Sequence, residues 1–243
     1  MKALALCFTL VTLVAATTAA PLDLLHSARQ LVLVVTPGWD DVRGEVRRFE
    51  RRATGEAWRA VGAPTSIVVG KNGSAWDPLV DPVVPGPVKA EGDGRSPAGI
   101  FTLGTAFGFA PAAEASWTKL PYLHLTEGIE CVDDVKSSVY NQLVDRRTVK
   151  TPDWSSSEKM REVAPAYQWG VVVNYNSPAT AGRGSCIFLH IGGEGGKGTA
   201  GCTAMPQADL ESVMSWLDPK LQPVLVQFPR AVYDKLKSSW QLP

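Results

Sequence analysis

Apolar residues along this chain gather in short runs instead of recurring at helical spacing. Residues 31–36 (LVLVVT), 66–70 (SIVVG), 99–103 (GIFTL), 170–175 (GVVVNY) and 186–191 (CIFLHI) are such runs, bounded by Gly, Pro, Asn or Asp turn signals, and they read as strands. Residues 42–49 (VRGEVRRF) add a further strand with arginines on its wet face. One helix is predicted over residues 207–217 (QADLESVMSWL), where Leu210, Val213, Met214 and Leu217 fall at i, i+3, i+4 and i+7. Pro206 suits its first turn and Pro219 closes its far end. Between residues 72 and 97 the density of Gly and Pro, including Gly73, Pro78, Pro82, Pro85 and Gly86, predicts a long surface loop. No repeat, charge run or composition break divides the chain. The pattern predicts one mainly β domain with a short helix late in the sequence.

The first twenty residues, MKALALCFTLVTLVAATTAA, depart from this pattern. One lysine, an apolar run and a close in small residues have the layout of a signal peptide, too short and weakly flanked for a membrane anchor. Cleavage is expected near Ala20, leaving residues 21–243 as a single exported domain with no stable membrane anchor. Cys7 lies inside the apolar run after Leu6, which does not suit a lipoprotein acceptor cysteine.

Charge narrows the partners. Lys plus Arg and Asp plus Glu stand at 24 each, so net charge offers no basic field for a nucleic acid. With 243 residues and an ordinary apolar fraction the chain builds a core without metal or disulfide scaffolding. Removal of the signal peptide leaves Cys131, Cys186 and Cys202. In an oxidising compartment an odd count favours one pair and one free thiol, and a leftover thiol is a candidate for reactivity.

The segment HIGGEGGKGTAGCTAM, from His190 to Met205, poses a choice between two chemistries. Gly193, Gly195 and Gly198 have the G-x-G-x-x-G spacing of a phosphate cradle, but that cradle needs a helix directly after the glycines. Here no helix begins before about Pro206, and Lys197 is followed by Gly198, not Ser or Thr. The other chemistry asks less: glycines let the loop fold back and bring Cys202 to the end of the strand that carries His190. An imidazole beside a thiol accepts its proton and stabilises the thiolate. Gly201 leaves room for a substrate carbonyl, and the amides around Cys202 can form an oxyanion hole. Three plainer readings compete: an inert buried Cys202, a Cys202–Cys186 disulfide, and a zinc site of Cys186, His190 and Cys202 that lacks a fourth ligand.

The same residues resemble the catalytic motif of the L,D-transpeptidase family, a histidine-glycine segment followed by Ser/Thr-x-Gly-Cys, here His190 with Gly192 or Gly193, then Thr199, Ala200, Gly201 and Cys202. Residues 91–103 (EGDGRSPAGIFTL) resemble the family's (S/T)-P-x-G turn and strand, and the likeness runs over about residues 28 to 230. It implies a curved β-sandwich, Cys202 as nucleophile, His190 as its base and Thr199 as an orienting residue, and with them a disulfide between Cys131 and Cys186. It implies acyl transfer on peptidoglycan stem peptides through a thioester, in the periplasm or at the cell wall, with no metal or organic cofactor. Resolution of the thioester by water in place of an amine makes the same site an L,D-carboxypeptidase or amidase; a non-catalytic wall-binding module is the alternative outside enzymes. The chain departs from the family at Ala204, where an arginine is common; Arg183, Lys197 and Arg95 are the candidates to bind the substrate carboxylate in its place.

Overall fold

The computed structural model describes residues 21–243; the expected signal segment, residues 1–20, lies outside them. A short helix α1 (Pro21–Ser27) leads into β1 (Gln30–Thr36), β2 (Arg43–Glu50) and β3 (Arg59–Val68), which pair antiparallel in sequence. β1 is QLVLVVT, apolar almost throughout, and it is buried along nearly its whole length. Such a run belongs at the centre of a sheet covered on both faces. β3 begins well before the expected residue 66. Its first half was hidden from sequence reading because Gly62, at φ 71°, sits where the pairing with β2 shifts register, and an irregular strand loses its period-2 signature.

The expected long loop over residues 72–97 contains a short strand, β4 (Ser74–Trp76). It runs parallel to β5 (Ser96–Gly108), and its Trp76 is completely buried, its ring centroid 5.2 Å from Trp39 and 6.0 Å from Phe228. The segment is therefore only partly a surface loop, because a buried indole outweighs the local density of turn formers. Next come β6 (Tyr122–His124), then β7 (Ile129–Cys131), β8 (Leu143–Asp145) and β9 (Glu158–Lys159), of which the last three form a small separate sheet. β10 (Trp169–Val173), β11 (Phe188–Ile191) and β12 (Thr203–Met205) follow, then α2 (Gln207–Trp216), β13 (Val224–Pro229) and α3 (Arg230–Leu236). β13, α1 and α3 were not foreseen; α2 lies where the i, i+3, i+4, i+7 pattern put it.

β5 closes the architecture. Its residues 99–102 pair with β13 and its residues 103–108 with β10, so the large sheet, in the order β10-β11-β12-β3-β2-β1-β13-β5-β4, curls back on itself. The fold is mainly β, a curved barrel-like sheet with a short helix late in the chain. One core fills the curl and is capped by Leu210, Val213 and Met214 of α2. A second packs α1 and α3 on β1 and β13. A third gathers Phe107, Cys131, Tyr167, Cys186, Phe188 and Cys202 beneath the small sheet. Cys131 and Cys186 are joined by a disulfide, Cα atoms 6.0 Å apart, which ties the small sheet to the segment entering β11.

Candidate active site

β11 and β12 lie side by side and parallel, with Leu189 opposite Thr203 and His190 opposite Ala204. Parallel neighbours need a connection that returns to the same end; here it is the loop 192–202, turned by Gly193 (φ 92°), Gly195 (φ 71°) and Gly196 (φ 68°). The glycine triplet thus joins two strands of one sheet and does not open a helix, and the phosphate reading falls with it. Gly198 packs where a Cβ would come within 2.4 Å of the Lys71 backbone. There Thr199 N–H donates to Val69 O (3.0 Å) and Lys71 N–H to Thr199 O (2.8 Å), fastening the loop to the end of β3.

Cys202 precedes β12 by one residue. Side chains opposite each other in a parallel pair share a face and alternate along each strand. Phe188, His190, Cys202 and Ala204 therefore project from one face, and His190, Cys202 and Ala204 line a cleft of about 730 Å³. Thr199 Oγ1 donates to Cys202 O (2.6 Å) and accepts from Gly201 N–H (3.1 Å), so its hydroxyl shapes the turn before the thiol. Ser96 at the start of β5 donates its hydroxyl between Gly201 O (2.7 Å) and Cys202 O (3.0 Å) and accepts from Gly70 N–H (2.9 Å).

A family model, YkuD, the L,D-transpeptidase catalytic domain, matches residues 56–226. The chain belongs to this family. No curated protein and no solved structure matches it. The L,D-transpeptidase family model spans β3 to β13, so it covers the cleft, both strands that carry its motif and the glycine loop between them. At family level the chemistry is transpeptidation of peptidoglycan.

In this L,D-transpeptidase cleft Cys202 is buried and free. Its sulfur accepts from Phe188 N–H (3.3 Å), and its thiol donates to Cys186 O (3.4 Å). Burial pushes the thiol well above the ordinary range and the charge of Glu158 adds to this, while the Phe188 N–H and the Tyr167 hydroxyl pull the other way. His190 Nδ1 lies 2.8 Å from Ile191 O. A carbonyl only accepts, so Nδ1 carries the proton and Nε2 is left as the basic nitrogen. Burial lowers the pKa of this histidine and keeps the ring neutral. Thiol and imidazole are thus both uncharged at rest, because a dry site disfavours a thiolate–imidazolium pair.

The disulfide takes Cys186 out of the zinc reading, and among the described residues no three metal-ligating side chains converge. Of the three cations considered for the substrate carboxylate, Lys197 lines the cleft and Arg95 and Arg183 do not. Arg95 is occupied by Trp39 O, Ser74 O and Asp40 Oδ1 (3.2, 3.0 and 2.7 Å), and the Arg183 carbonyl accepts from the Tyr175 hydroxyl. Gly201 N–H is engaged by Thr199, which removes it from the amides available to an oxyanion.

Sequence reasoning missed two cleft residues. Tyr167 comes from a 3-10 turn (Ala166–Gln168) and Glu158 from β9. The Tyr167 ring meets the His190 ring edge-on at 5.3 Å, and its hydroxyl donates to Glu158 Oε2 at 2.6 Å. Nothing around SSSEKM or PAYQW marks either residue locally. Arg43 on β2 is the third omission: its guanidinium lies against Gly196, at the edge of the glycine loop.

Proposed function

We propose that the chain is an exported cysteine L,D-transpeptidase, a signal peptide (1–20) followed by one catalytic domain (21–243). It transfers the acyl group of a peptidoglycan stem peptide from its terminal D-alanine to an amine of a second stem. The observation that carries this reading is the shared face of β11 and β12, which sets the free thiol of Cys202 and the neutral imidazole of His190 in the wall of one cleft.

With both partners uncharged at rest, proton transfer accompanies attack. As Cys202 Sγ bonds to the carbonyl carbon of the third stem residue, its proton passes to His190 Nε2. The tetrahedral oxyanion is stabilised by the Cys202 amide. His190 then protonates the departing amine, the C–N bond breaks, and D-alanine leaves a thioester. An incoming amine gives its proton to Nε2, attacks the thioester and expels the thiolate, which recovers a proton from His190. Lys197 at the rim pairs with the donor's terminal carboxylate. Charge on the protein is then the same before and after a turnover, and no cofactor enters.

Intact-mass spectrometry of the protein and its Cys202→Ala variant with a disaccharide-tetrapeptide tests this. Wild type alone should gain the mass of the disaccharide-tripeptide acyl group and release D-alanine, and an added amine should clear the adduct. A folded protein that forms no adduct and releases no D-alanine overturns the reading. Loss of the adduct to water at the same rate with and without amine makes it a carboxypeptidase.

A further inference from the structure

The cleft holds a carboxylate that the acyl-transfer chemistry above does not use. Glu158 lies in its wall with Cys202, His190 and Tyr167. Its register partner on β7 is Cys131, so the disulfide anchors the short strand that carries it. The Tyr167 hydroxyl donates to Glu158 Oε2 at 2.6 Å. Among the described residues no lysine, arginine or histidine comes within ion-pair distance of this carboxylate. The nearby buried cation, Lys89, is held by Asp93 Oδ1 at 2.6 Å and Ala90 O at 2.7 Å. Other carboxylates deepen the imbalance: Glu91 accepts from Tyr140 and from Ser185 (2.7 Å), and Asp133 accepts from Ser156 (2.5 Å). Burial, and after it the charges of Asp133 and Glu91, push the Glu158 carboxyl above the ordinary carboxylate range, against the pull of the Tyr167 hydroxyl, so its negative charge is costly here and also opposes a Cys202 thiolate. It makes chemical sense where a positive charge arrives from outside.

We propose that Glu158, oriented by Tyr167, binds the ammonium group of the incoming amine and thereby selects an amine over water as the acceptor. This rests on the acyl-transfer reading for the identity of the thioester, but not for the binding of the cation. In the step, R–NH3+ docks on the Glu158 carboxylate and passes one proton to it. The free amine then attacks the thioester: the C–N bond forms, the second proton moves to His190 Nε2, and the C–S bond breaks. Cys202 thiolate regains a proton from His190, and Glu158 returns its own to solvent. Tyr167 is a positioning residue in this scheme, since its ring abuts His190 and its hydroxyl holds the carboxylate.

Two measurements test it. In the first, the Glu158 side-chain carboxyl resonance is followed by 13C NMR during titration with Nα-acetyl-lysine amide and with its Nε-acetylated, uncharged analogue. Only the charged probe should move the signal; no shift, or an equal shift from both, overturns the proposal. The second compares transfer to the lysine amide with transfer to hydroxylamine, an acceptor uncharged at neutral pH. Glu158→Gln should lower the lysine-to-hydroxylamine ratio at least tenfold, and Tyr167→Phe should lower it in the same direction. A general packing defect lowers both rates together and leaves the ratio where it was, which also overturns the proposal. If the charged probe binds at Glu158 and no acyl-enzyme forms from a stem peptide, the acyl-transfer reading fails while the ammonium site stands. If transfer proceeds and the ratio ignores Glu158, the reverse holds.

Discussion

Ser96 and Cys202, distant in sequence, are joined by one buried hydroxyl: Ser96 Oγ donates between the carbonyls of Gly201 and Cys202, at 2.7 and 3.0 Å, while Gly70 N–H donates to it at 2.9 Å. The start of β5, the end of β3 and the backbone of Cys202 thus meet at a single atom. Ser96→Ala leaves buried carbonyls and an amide without that partner, a loss of about 1–3 kcal/mol. The expected result is a lower urea midpoint and a slower acyl-enzyme formation rate. A variant with wild-type stability and rate contradicts this account of how Cys202 is held.

The disulfide between Cys131 and Cys186 closes a loop of sequence separation 55, for which chain entropy alone is worth about 4 kcal/mol. It also fixes the carbonyl of Cys186, to which the Cys202 thiol donates. The double variant Cys131→Ser with Cys186→Ser is expected to unfold at clearly lower urea and to acylate more slowly. An unchanged unfolding midpoint refutes the stabilising role.

As the proposed base, His190 should set the acid limb of activity. The proposed reaction needs its neutral form, and burial lowers its pKa from the ordinary 6.5. The neutral form therefore persists to more acidic pH than for an exposed histidine, and activity should fall only when pH drops through the lowered value. The acid limb of kcat/KM, which reports the free enzyme, is expected to have its midpoint below 6.5. A midpoint above that value contradicts a desolvated, neutral base.

Burial also changes what thiol reagents should see. Mildly acidic alkylation is the mark of a stable thiolate, yet here burial and Glu158 hold Cys202 as a thiol. Iodoacetamide should label it slowly in the free protein at pH 6, faster as pH rises. Rapid labelling at pH 6, followed by peptide mass mapping, argues against the uncharged resting pair.

Lys197 is exposed at the rim of the cleft, so a rim contact with a carboxylate is screened by solvent and modest, about 0–1 kcal/mol. Lys197→Met should raise KM for the tetrapeptide donor up to about fivefold with kcat little changed, because a contact made equally to ground and transition state acts on binding alone. A fall in kcat with unchanged KM places Lys197 in the chemical step instead.

His190, Gly201 and Cys202 were legible in the sequence for a local reason. Once a strand ends in a histidine, a glycine-rich loop permits the chain to return beside it, and the cysteine at the loop's end has few other places to go. The helix after Met205 was legible for a similar reason, since Leu210, Val213, Met214 and Leu217 repeat at one helical period. The same locality explains the omissions. β13 pairs parallel with β1 across most of the chain, and β4 is held by burial of Trp76 in a stretch whose composition reads as turns.

By itself the sequence determined the strand-rich character, an odd cysteine count that favours one free thiol, and a glycine loop able to bring Cys202 back beside His190; which cysteine stays free it left open. The tertiary structure alone decided what surrounds that thiol. Ser96 beneath it, Tyr167 and Glu158 beside it, and the disulfide behind it arrive on separate elements. Their effect on proton affinity depends on distance and burial, and neither quantity is written in residue order.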